Sequence, residues 1–563
     1  MSNIFQNCVD NLKQEITLAV HKAIGKGQLM NAAQLPEFVI EVPADKKNGD
    51  LATNIAMACA RIFRTSPKNI ANAIVENLSL ENTYIAKTEI AGPGFINFFL
   101  DSKYYSDVIK TVISENENYG KSDFGKGKRI LLEFVSANPT GPMHIGNARG
   151  GALGDCLASV LQCAGYDVQR EFYVNDAGNQ IEKFKTSLEV RYLQLYDDSV
   201  TMPEDAYQGA DIIEHAKNFN ALYGDKYLHV SSEERRTALC DFALPINIEN
   251  LKKDLLKYRI EYDNWFLESS LHNSGAVTEI IEKLKQSGYT YELDGALWFK
   301  TSAFGDDKDR VLMRANGIPT YLVPDIAYHY NKLVTRNYDT AIDILGADHH
   351  GYIPRIKASM QALGVKPDRL NIIIMQMVRL IKDGEVYKVS KRSGKAVTLS
   401  TLIEEVSVDS ARFLFNMREA NTQMDFDIDL AIMQDAQNPV YYVQYAHARI
   451  CSILKALEND GITVRDCSYD ELALLNTPEE KELISYIADY TNEVIVSATE
   501  YDPTKITKYV LHLASLFHKF YNACRVKGDN ASLTQARLNL CLATKTVIRN
   551  VLTMLKITVP ESM

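Results

Sequence analysis

This chain lacks most of what marks a membrane, secreted or metal-cluster protein. No apolar run approaches the roughly 20 residues needed to cross a bilayer, so no membrane partner is expected. The segment from Met1 to Val20 carries Asp10 and Glu15 in an amphipathic pattern and has no apolar centre of the signal-peptide kind. The 9 cysteines are scattered without a CxxC pair. That argues against a disulfide framework or a zinc site, and for reduced thiols in a cytoplasm. Most of them read as small buried hydrophobes. No cluster of ligand residues suggests a bound metal, and no prosthetic group is evident. There is no GxxxxGK run followed by Ser or Thr, so a P-loop ATPase reading loses its main support. Internal repeats and low-complexity tracts are also absent.

What remains is a long globular chain. At 563 residues it exceeds one ordinary core, so two to four domains are expected. A charged fraction of 24% beside 46% hydrophobic residues is that of a soluble, packed protein. The net charge of −11 argues against indiscriminate binding to nucleic acid, which needs positive patches. The charge is unevenly spread, however. From Tyr501 to Met563 the basic residues are Lys505, Lys508, Lys519, Arg525, Lys527, Arg537, Lys545, Arg549 and Lys556, against only Asp502, Asp529 and Glu561. An acidic protein with a basic terminal unit is compatible with an RNA partner.

Periodicity divides the chain into three. Residues 1–115 read as a small α+β unit, with a helix over Gly49–Arg61, another starting near Asn69 after Ser66-Pro-Lys, and a strand over Gly94–Leu100. The Gly- and Lys-rich stretch Tyr119–Lys128 reads as a linker. Residues 116–405 alternate strands and helices, the pattern of a parallel sheet wrapped by helices. Strands are expected around Leu131, Val168–Val174, Ala341–Leu345 and Asn371–Met377. A charged, tyrosine-rich interval near 185–290 reads as a helical insertion. Residues 406–563 read as all-helical, with helices at Pro439–Leu457, Glu479–Tyr490 and Thr507–Cys524 and no strand beyond about Ser410.

The most informative stretch is Ser136-Ala-Asn-Pro-Thr-Gly-Pro-Met-His-Ile-Gly-Asn-Ala-Arg149. It follows the apolar run Ile130–Val135, breaks at two prolines and Gly141, and regains helical spacing after Gly146. A strand, a tight turn and a helix start place His144 and backbone N–H groups where an anion would sit. Gly146 has no side chain to keep the backbone from a nucleotide. Far away, Lys388-Val-Ser-Lys-Arg-Ser-Gly394 is a short cationic segment fit to meet that anion from the other side. Two phosphate-handling elements suggest one nucleotide site.

His144-Ile-Gly-Asn147 resembles the HIGH motif of class I aminoacyl-tRNA synthetases, and Lys388-Val-Ser-Lys391 resembles their KMSKS motif. Glu133–Asn138, Val174–Gln180, Tyr321–Asp325, Gly346–His350 and Tyr445–Arg449, in this order, resemble the arginyl-tRNA synthetase family specifically. The resemblance runs from about Glu41 to Met563. It implies a Rossmann-like parallel-sheet catalytic domain, a small α+β amino-terminal domain that contacts tRNA, and an all-α anticodon-binding domain. The implied reaction joins arginine to the 3′ end of tRNA(Arg) through an arginyl-adenylate. The substrates would be L-arginine, tRNA(Arg) and ATP with Mg2+, and the chain would act as a cytoplasmic monomer. Two rival readings remain: a nucleotidyltransferase of the same superfamily, and an inactive tRNA-binding paralogue.

The resemblance also implies roles. His144 and Lys391, supported by Lys388 and Ser390, would neutralise the phosphates, and Gly146 and Asn147 would complete the ATP site. Asn147 departs from the family's usual histidine, and an amide can donate a hydrogen bond but cannot carry a proton. Asp325, with Tyr321 one turn away and Glu268 as a second carboxylate, would pair with the permanently charged guanidinium. A helix cap after Pro324 is the competing role for Asp325. Glu133 and Asn138 would hold the α-amino and carboxylate groups, with Gln180 and His349 at further substrate positions. Tyr445, Arg449, Tyr521, Arg525 and Met563 match anticodon-pocket positions, and Phe95 and Asn97 match a pair that contacts a D-loop base. Buried carboxylates left unpaired by a wrong ligand would discriminate strongly, so no editing site is expected.

Overall fold

The computed structural model describes residues 3–32, 34–81, 83–387 and 397–563. Its centre is a five-stranded sheet, but the chain first builds a smaller unit. There β1 (Ile40–Glu41), β2 (Leu51–Thr53), β3 (Ile85–Ala91) and β4 (Phe95–Leu100) form a sheet in the order β1-β2-β4-β3. Ser66 caps the helix Pro67–Asn77 by accepting from the Asn69 N–H, as the Ser-Pro signal predicts. The helix expected over Gly49–Arg61 is shorter. Leu51–Thr53 pairs with β4 instead, and the helix is Ile55–Phe63. Tertiary pairing outweighs helix propensity in those three residues.

The central sheet contains β5 (Arg129–Glu133), β6 (Asp167–Val174), β7 (Asn264–Leu267), β11 (Thr340–Gly346) and β12 (Leu370–Met375), all parallel, in the order β12-β11-β5-β6-β7. Between them, β8 (Thr290–Leu293), β9 (Ala296–Phe299) and β10 (Arg310–Met313) make a separate antiparallel sheet. The chain order reverses at β5, and ligands of open parallel sheets bind at the carboxyl ends of the strands beside such a switch point. The helix Ile145–Cys163 crosses from β5 to β6, and its packing on β5 depends on Gly154. A Cβ there would lie 2.2 Å from the Phe134 ring, so only glycine allows this approach.

Two expectations for this region need correction. The interval 185–290 does contain the helices Ala210–Tyr223 and Ser232–Lys257, continuing from Gly178–Leu193. It also contains β7, the edge strand of the catalytic sheet, whose Trp265 stacks on Phe172. Four residues are too short a run to stand out against charged flanks. A strand also exists beyond Ser410: β15 (Met424–Asp427) pairs with β13 (Val378–Lys382), which in turn pairs with β14 (Glu385–Val386). Its short Met-Asp-Phe-Asp alternation buries Met424 and Phe426.

Elsewhere the carboxyl-terminal part is helical, with long helices Pro439–Asn459, Pro478–Ala488, Tyr490–Glu500, Thr504–Ala523 and Ala531–Met554. The stretch Tyr119–Lys128 is irregular but firmly packed. The Tyr119 hydroxyl donates to the Ile487 carbonyl, and Gly120 lies against Tyr490 where a Cβ would be 2.1 Å from the ring. Among the described residues, no helix is long and apolar enough to cross a membrane.

A buried ion cluster joins these parts. Asp155, on the Ile145–Cys163 helix, accepts from Arg170 (3.0 Å), Arg412 (2.5 Å) and Lys556 (2.8 Å). Against its burial, Arg412, Lys556 and Arg170 hold this carboxyl below the ordinary aspartate range. Asp155→Ala leaves the buried Arg412 and Arg170 without their carboxylate, so a loss of about 3–5 kcal/mol is expected, the usual result of breaking a buried pair. The measurement is the denaturant midpoint against wild type. A change within experimental error would mean that water replaces the carboxylate without cost.

Candidate functional site

Five strand ends converge on one crevice. Glu133 closes β5, Asn175 follows β6, Glu268 follows β7, Gly346 closes β11, and Gln376 follows β12. Two cavities open there, of 770 and 560 Å3, and they share Val135, Ser136, Asn138, Ile344, Gly346 and His349 as a common wall. At the turn out of β5, Val135 and Ser136 both adopt left-handed backbone, with φ of 69° and 39°. For a β-branched residue such as Val135 this conformation is costly and persists only where surroundings enforce it. The Ser136 hydroxyl supplies part of that enforcement, donating to Glu133 (2.8 Å) while accepting from the Tyr173 N–H (3.1 Å).

The larger cavity is lined by Gly141, His144, Gly146, Asn147 and Gly150 on one side and by Asp348, Met375, Gln376 and Met377 on the other. Tyr207 and Asp211 reach it from the helical region, a contribution the sequence did not suggest. His144 is the N-cap of its helix, and its Nδ1 accepts from the Gly146 N–H at 3.0 Å. With Nδ1 an acceptor, the neutral ring carries its proton on Nε2. Partial burial lowers the pKa below the ordinary histidine value, so this tautomer holds at neutral pH. Gly146 has a reason beyond an open approach for a ligand: a Cβ would sit 2.9 Å from the His144 Cε1 and displace the ring. Asn147 spends its amide oxygen on the His144 N–H at 3.0 Å, completing a reciprocal cap.

Lys388, Ser390 and Lys391 lie outside the described residues. The chain on their carboxyl-terminal side does return to His144: Thr398 forms an antiparallel bridge with it, and the Leu399 N–H donates to the Met143 carbonyl at 2.9 Å. Elements some 250 residues apart thus meet at the mouth of the larger cavity.

The smaller cavity is acidic, and among the described residues no lysine or arginine lines it. It collects Glu133, Asn138, Gln180, Glu268, Tyr321, Asp325 and His349, all seven of the residues expected around an amino acid. Asp325 lies inside the helix Leu322–Tyr330, whose N-cap position is Tyr321. Its carboxylate caps nothing and accepts from the Tyr352 hydroxyl at 2.5 Å. Burial pushes its pKa above the ordinary aspartate value. Burial also raises Glu268, with the Asp325 charge adding to the effect. Tyr321 stands 61% exposed at the rim. Gln180, also exposed, accepts from the Tyr207 hydroxyl.

Glu133 is more committed than its motif suggests. One oxygen accepts from Ser136, the other from the buried Lys332 at 2.5 Å, and Lys332 also donates to Asp343 at 2.7 Å. Against full burial, Asp343 and Glu133 hold Lys332 charged. Lys332 sits in the π-helical turn Asn331–Thr335, one turn beyond the buried Tyr328, and nothing in its local sequence shows that it would meet two carboxylates. Asp343 left a trace: it is the one charged residue in the apolar run Ala341–Leu345. Tyr173, Asn175 and Tyr352 also line the cavity, Asn175 from within the Val174–Gln180 block.

In the helical part, Arg449 donates to the Tyr445 hydroxyl at 3.1 Å and lies over the Tyr521 ring, 4.3 Å from its centre. His518 stacks at 6.0 Å from Tyr445. Arg525 is exposed just beyond that helix, and Met563 is 51% exposed in a groove with Tyr441 and Gln444. Phe95 and Asn97 share the face of β4 opposite Ile96 and Phe98, and Asn97 is sunk to 3% exposure. Two or more separate surfaces therefore hold the residues expected to meet tRNA.

A parallel sheet whose switch-point crevice receives a His-Ile-Gly-Asn helix start is the architecture of class I aminoacyl-tRNA synthetases. Residues 108–452 match the family model "tRNA synthetases class I (R), catalytic domain". Residues 10–100 match "Arginyl tRNA synthetase N terminal domain", and residues 443–563 match "DALR anticodon binding domain". The chain is 52% identical over 563 residues, all of both chains, to the arginine–tRNA ligase of Caldanaerobacter subterraneus subsp. tengcongensis. It is 51% identical to that of Acetivibrio thermocellus over 99% of this chain and 100% of the relative. The solved Thermus thermophilus arginyl-tRNA synthetase shares the fold with a TM-score of 0.74 at 21% identity, covering 97% of this chain and 99% of that one. This chain belongs to the arginyl-tRNA synthetase family.

Proposed function

We infer that the protein charges tRNA(Arg) with L-arginine at the expense of ATP, through an arginyl-adenylate. The observation that carries this reading is the pair of joined cavities. One is built from a histidine-capped helix start, and the other gathers the carboxylates of Glu133, Glu268, Asp325 and Asp343 with no lysine or arginine among the described residues of its wall. ATP, entering with Mg2+, takes the larger cavity and arginine the smaller. Val135 to Asn138 form the wall where the arginine carboxylate meets the α-phosphate. Attack at that phosphate releases pyrophosphate, so catalysis consists of alignment and of donors for the developing charge.

The His144 Nε2–H is one donor and Lys391 the second, with Lys388 and Ser390 supporting it. Asn147 acts mainly through His144, by holding its backbone. Asp325 and Glu268 pair with the guanidinium, Tyr321 and Gln180 close the rim, and Glu133, Asn138 and His349 surround the α-amino and carboxylate groups. The reading includes action as a monomer in the cytoplasm, where tRNA, arginine and ATP occur together. Purified protein, total tRNA and each amino acid in turn test the reading. Arginine alone should be attached, and tRNA-independent transfer of AMP to another acceptor would favour a nucleotidyltransferase.

The basic helical part binds the anticodon arm, with Tyr445, Arg449, Tyr521 and Arg525 as the stacking and cationic surface, Met563 at its edge, and Phe95 and Asn97 meeting the tRNA elbow. Tyr521→Ala and Arg525→Ala should each weaken tRNA binding by about 1–3 kcal/mol, the worth of one stacked base, and leave arginine binding intact. Arg525→Ala should also flatten the salt dependence of tRNA affinity. Unchanged affinity and slope in both variants would mean that the anticodon docks elsewhere.

A further inference from the structure

Arg149 is fully buried, yet among the described residues no carboxylate pairs with it. A guanidinium in the interior without a counterion is unusual, because its desolvation must be met by hydrogen bonds alone. Two are present. Nη1 donates to the Gln376 carbonyl and Nη2 to the Glu419 carbonyl, both at 2.8 Å. Among the described residues the Nε–H has no partner, and burial brings the pKa down to about 10. A residue needed only to fill this space would be apolar, so the charge and its aim require an explanation.

The geometry supplies one. Arg149 sits one turn along the helix that His144 caps, and the next residue, Gly150, lines the larger cavity beside Met375. Gln376 and Met377 form the opposite wall of that cavity, in the link between β12 and β13. The same link is tied to the segment after Glu419 by backbone hydrogen bonds: the Gln376 N–H donates to the Ala420 carbonyl at 2.8 Å, and the Met377 carbonyl accepts from the Met424 N–H at 3.3 Å. The guanidinium therefore bridges the His144 helix to both strands of chain that pass the far wall, with one planar fork fixing the width of the crevice.

We propose that Arg149 is a positioning residue for the nucleotide: it sets the separation between the His144 helix start and the Gln376–Met377 wall, and its unneutralised charge raises the positive potential of the cavity. This rests on the assignment of the larger cavity to ATP. Neither Arg149 nor its acceptors Gln376 and Glu419 line the arginine cavity, so its influence divides the two substrates.

The test is equilibrium binding of arginine and of a non-hydrolysable ATP analogue to full-length wild type, Arg149→Lys and Arg149→Met, with folding followed by circular dichroism. Arg149→Lys keeps the charge but spans only one carbonyl, so nucleotide affinity should fall about 10-fold, as for one lost charged hydrogen bond. Arg149→Met loses both tethers and the charge, and should fall about 100-fold or more. Arginine affinity should stay within about twofold in both variants, since additivity holds for separate sites. Should Arg149→Met not fold, selective nucleotide loss in Arg149→Lys still supports the proposal. Equal loss for both ligands, or none in Arg149→Lys, overturns it. Wild type that binds arginine but no nucleotide would instead overturn the assignment of the cavity.

Discussion

His144→Ala should lower adenylate formation by about 10²–10³-fold, the loss typical of one donor aimed at developing charge, and should leave arginine affinity nearly unchanged. The physical basis is the tautomer. Nδ1 is tied to the Gly146 N–H, so the donor is Nε2–H, preset before any nucleotide arrives. The ring also caps its helix through that contact, so a stability change of about 1 kcal/mol accompanies the substitution. ATP–pyrophosphate exchange at saturating arginine separates the two effects, because the stability change is visible in denaturation and the catalytic one is not. The lowered pKa gives a second check. His144 stays neutral through the neutral range, and only acidification below its depressed pKa protonates Nδ1 and breaks the bond from Gly146. Exchange should therefore show no loss between pH 7 and 8 that disappears in the variant. Near-wild-type exchange in His144→Ala would remove the residue from the reaction.

Asp325→Asn should raise the KM for arginine by about 10²-fold or more, since removing one member of a buried charge pair commonly costs about 3–5 kcal/mol. ATP affinity should barely move. Without arginine, Asp325 and Glu268 are two buried carboxylates facing one cavity, and both are raised above their ordinary pKa values. A guanidinium stabilises their ionised forms, so arginine binding releases protons from the fraction still protonated. As pH falls through the raised values, protons compete with arginine and its KM rises. As pH climbs above them, the KM levels off. In Asp325→Asn one of these groups no longer titrates, and the acid-side rise should become shallower. Measuring arginine KM against pH in both proteins checks the sign as well as the size. Equal loss for arginine and ATP in Asp325→Asn would point to disruption of the Leu322–Tyr330 helix instead.

Much of this was legible in the sequence because local chemistry carried it. The apolar run at Ile130, the broken turn and the return of helical spacing after Gly146 specify strand, loop and helix, whatever surrounds them. The excess of lysine and arginine after Tyr501 needed only counting. Motif order identified the family, and the residues expected around the amino acid all line one cavity.

Other features depended on contacts made across the chain. Trp265 belongs to a strand because Phe172 and the β6 edge are there to receive it, and Met424 to Asp427 extend because β13 offers a free edge. Neither four-residue run has enough local preference to declare itself. Lys332, Arg149 and Asp155 look like ordinary solvated charges in a helical pattern. Their burial is decided by partners roughly 10 to 400 positions away: Asp343 and Glu133 for the lysine, the Gln376 and Glu419 carbonyls for Arg149, and Arg412 and Lys556 for Asp155. A charge enters the interior only when its partners are assembled there, and their assembly is a property of the folded chain rather than of any window of sequence.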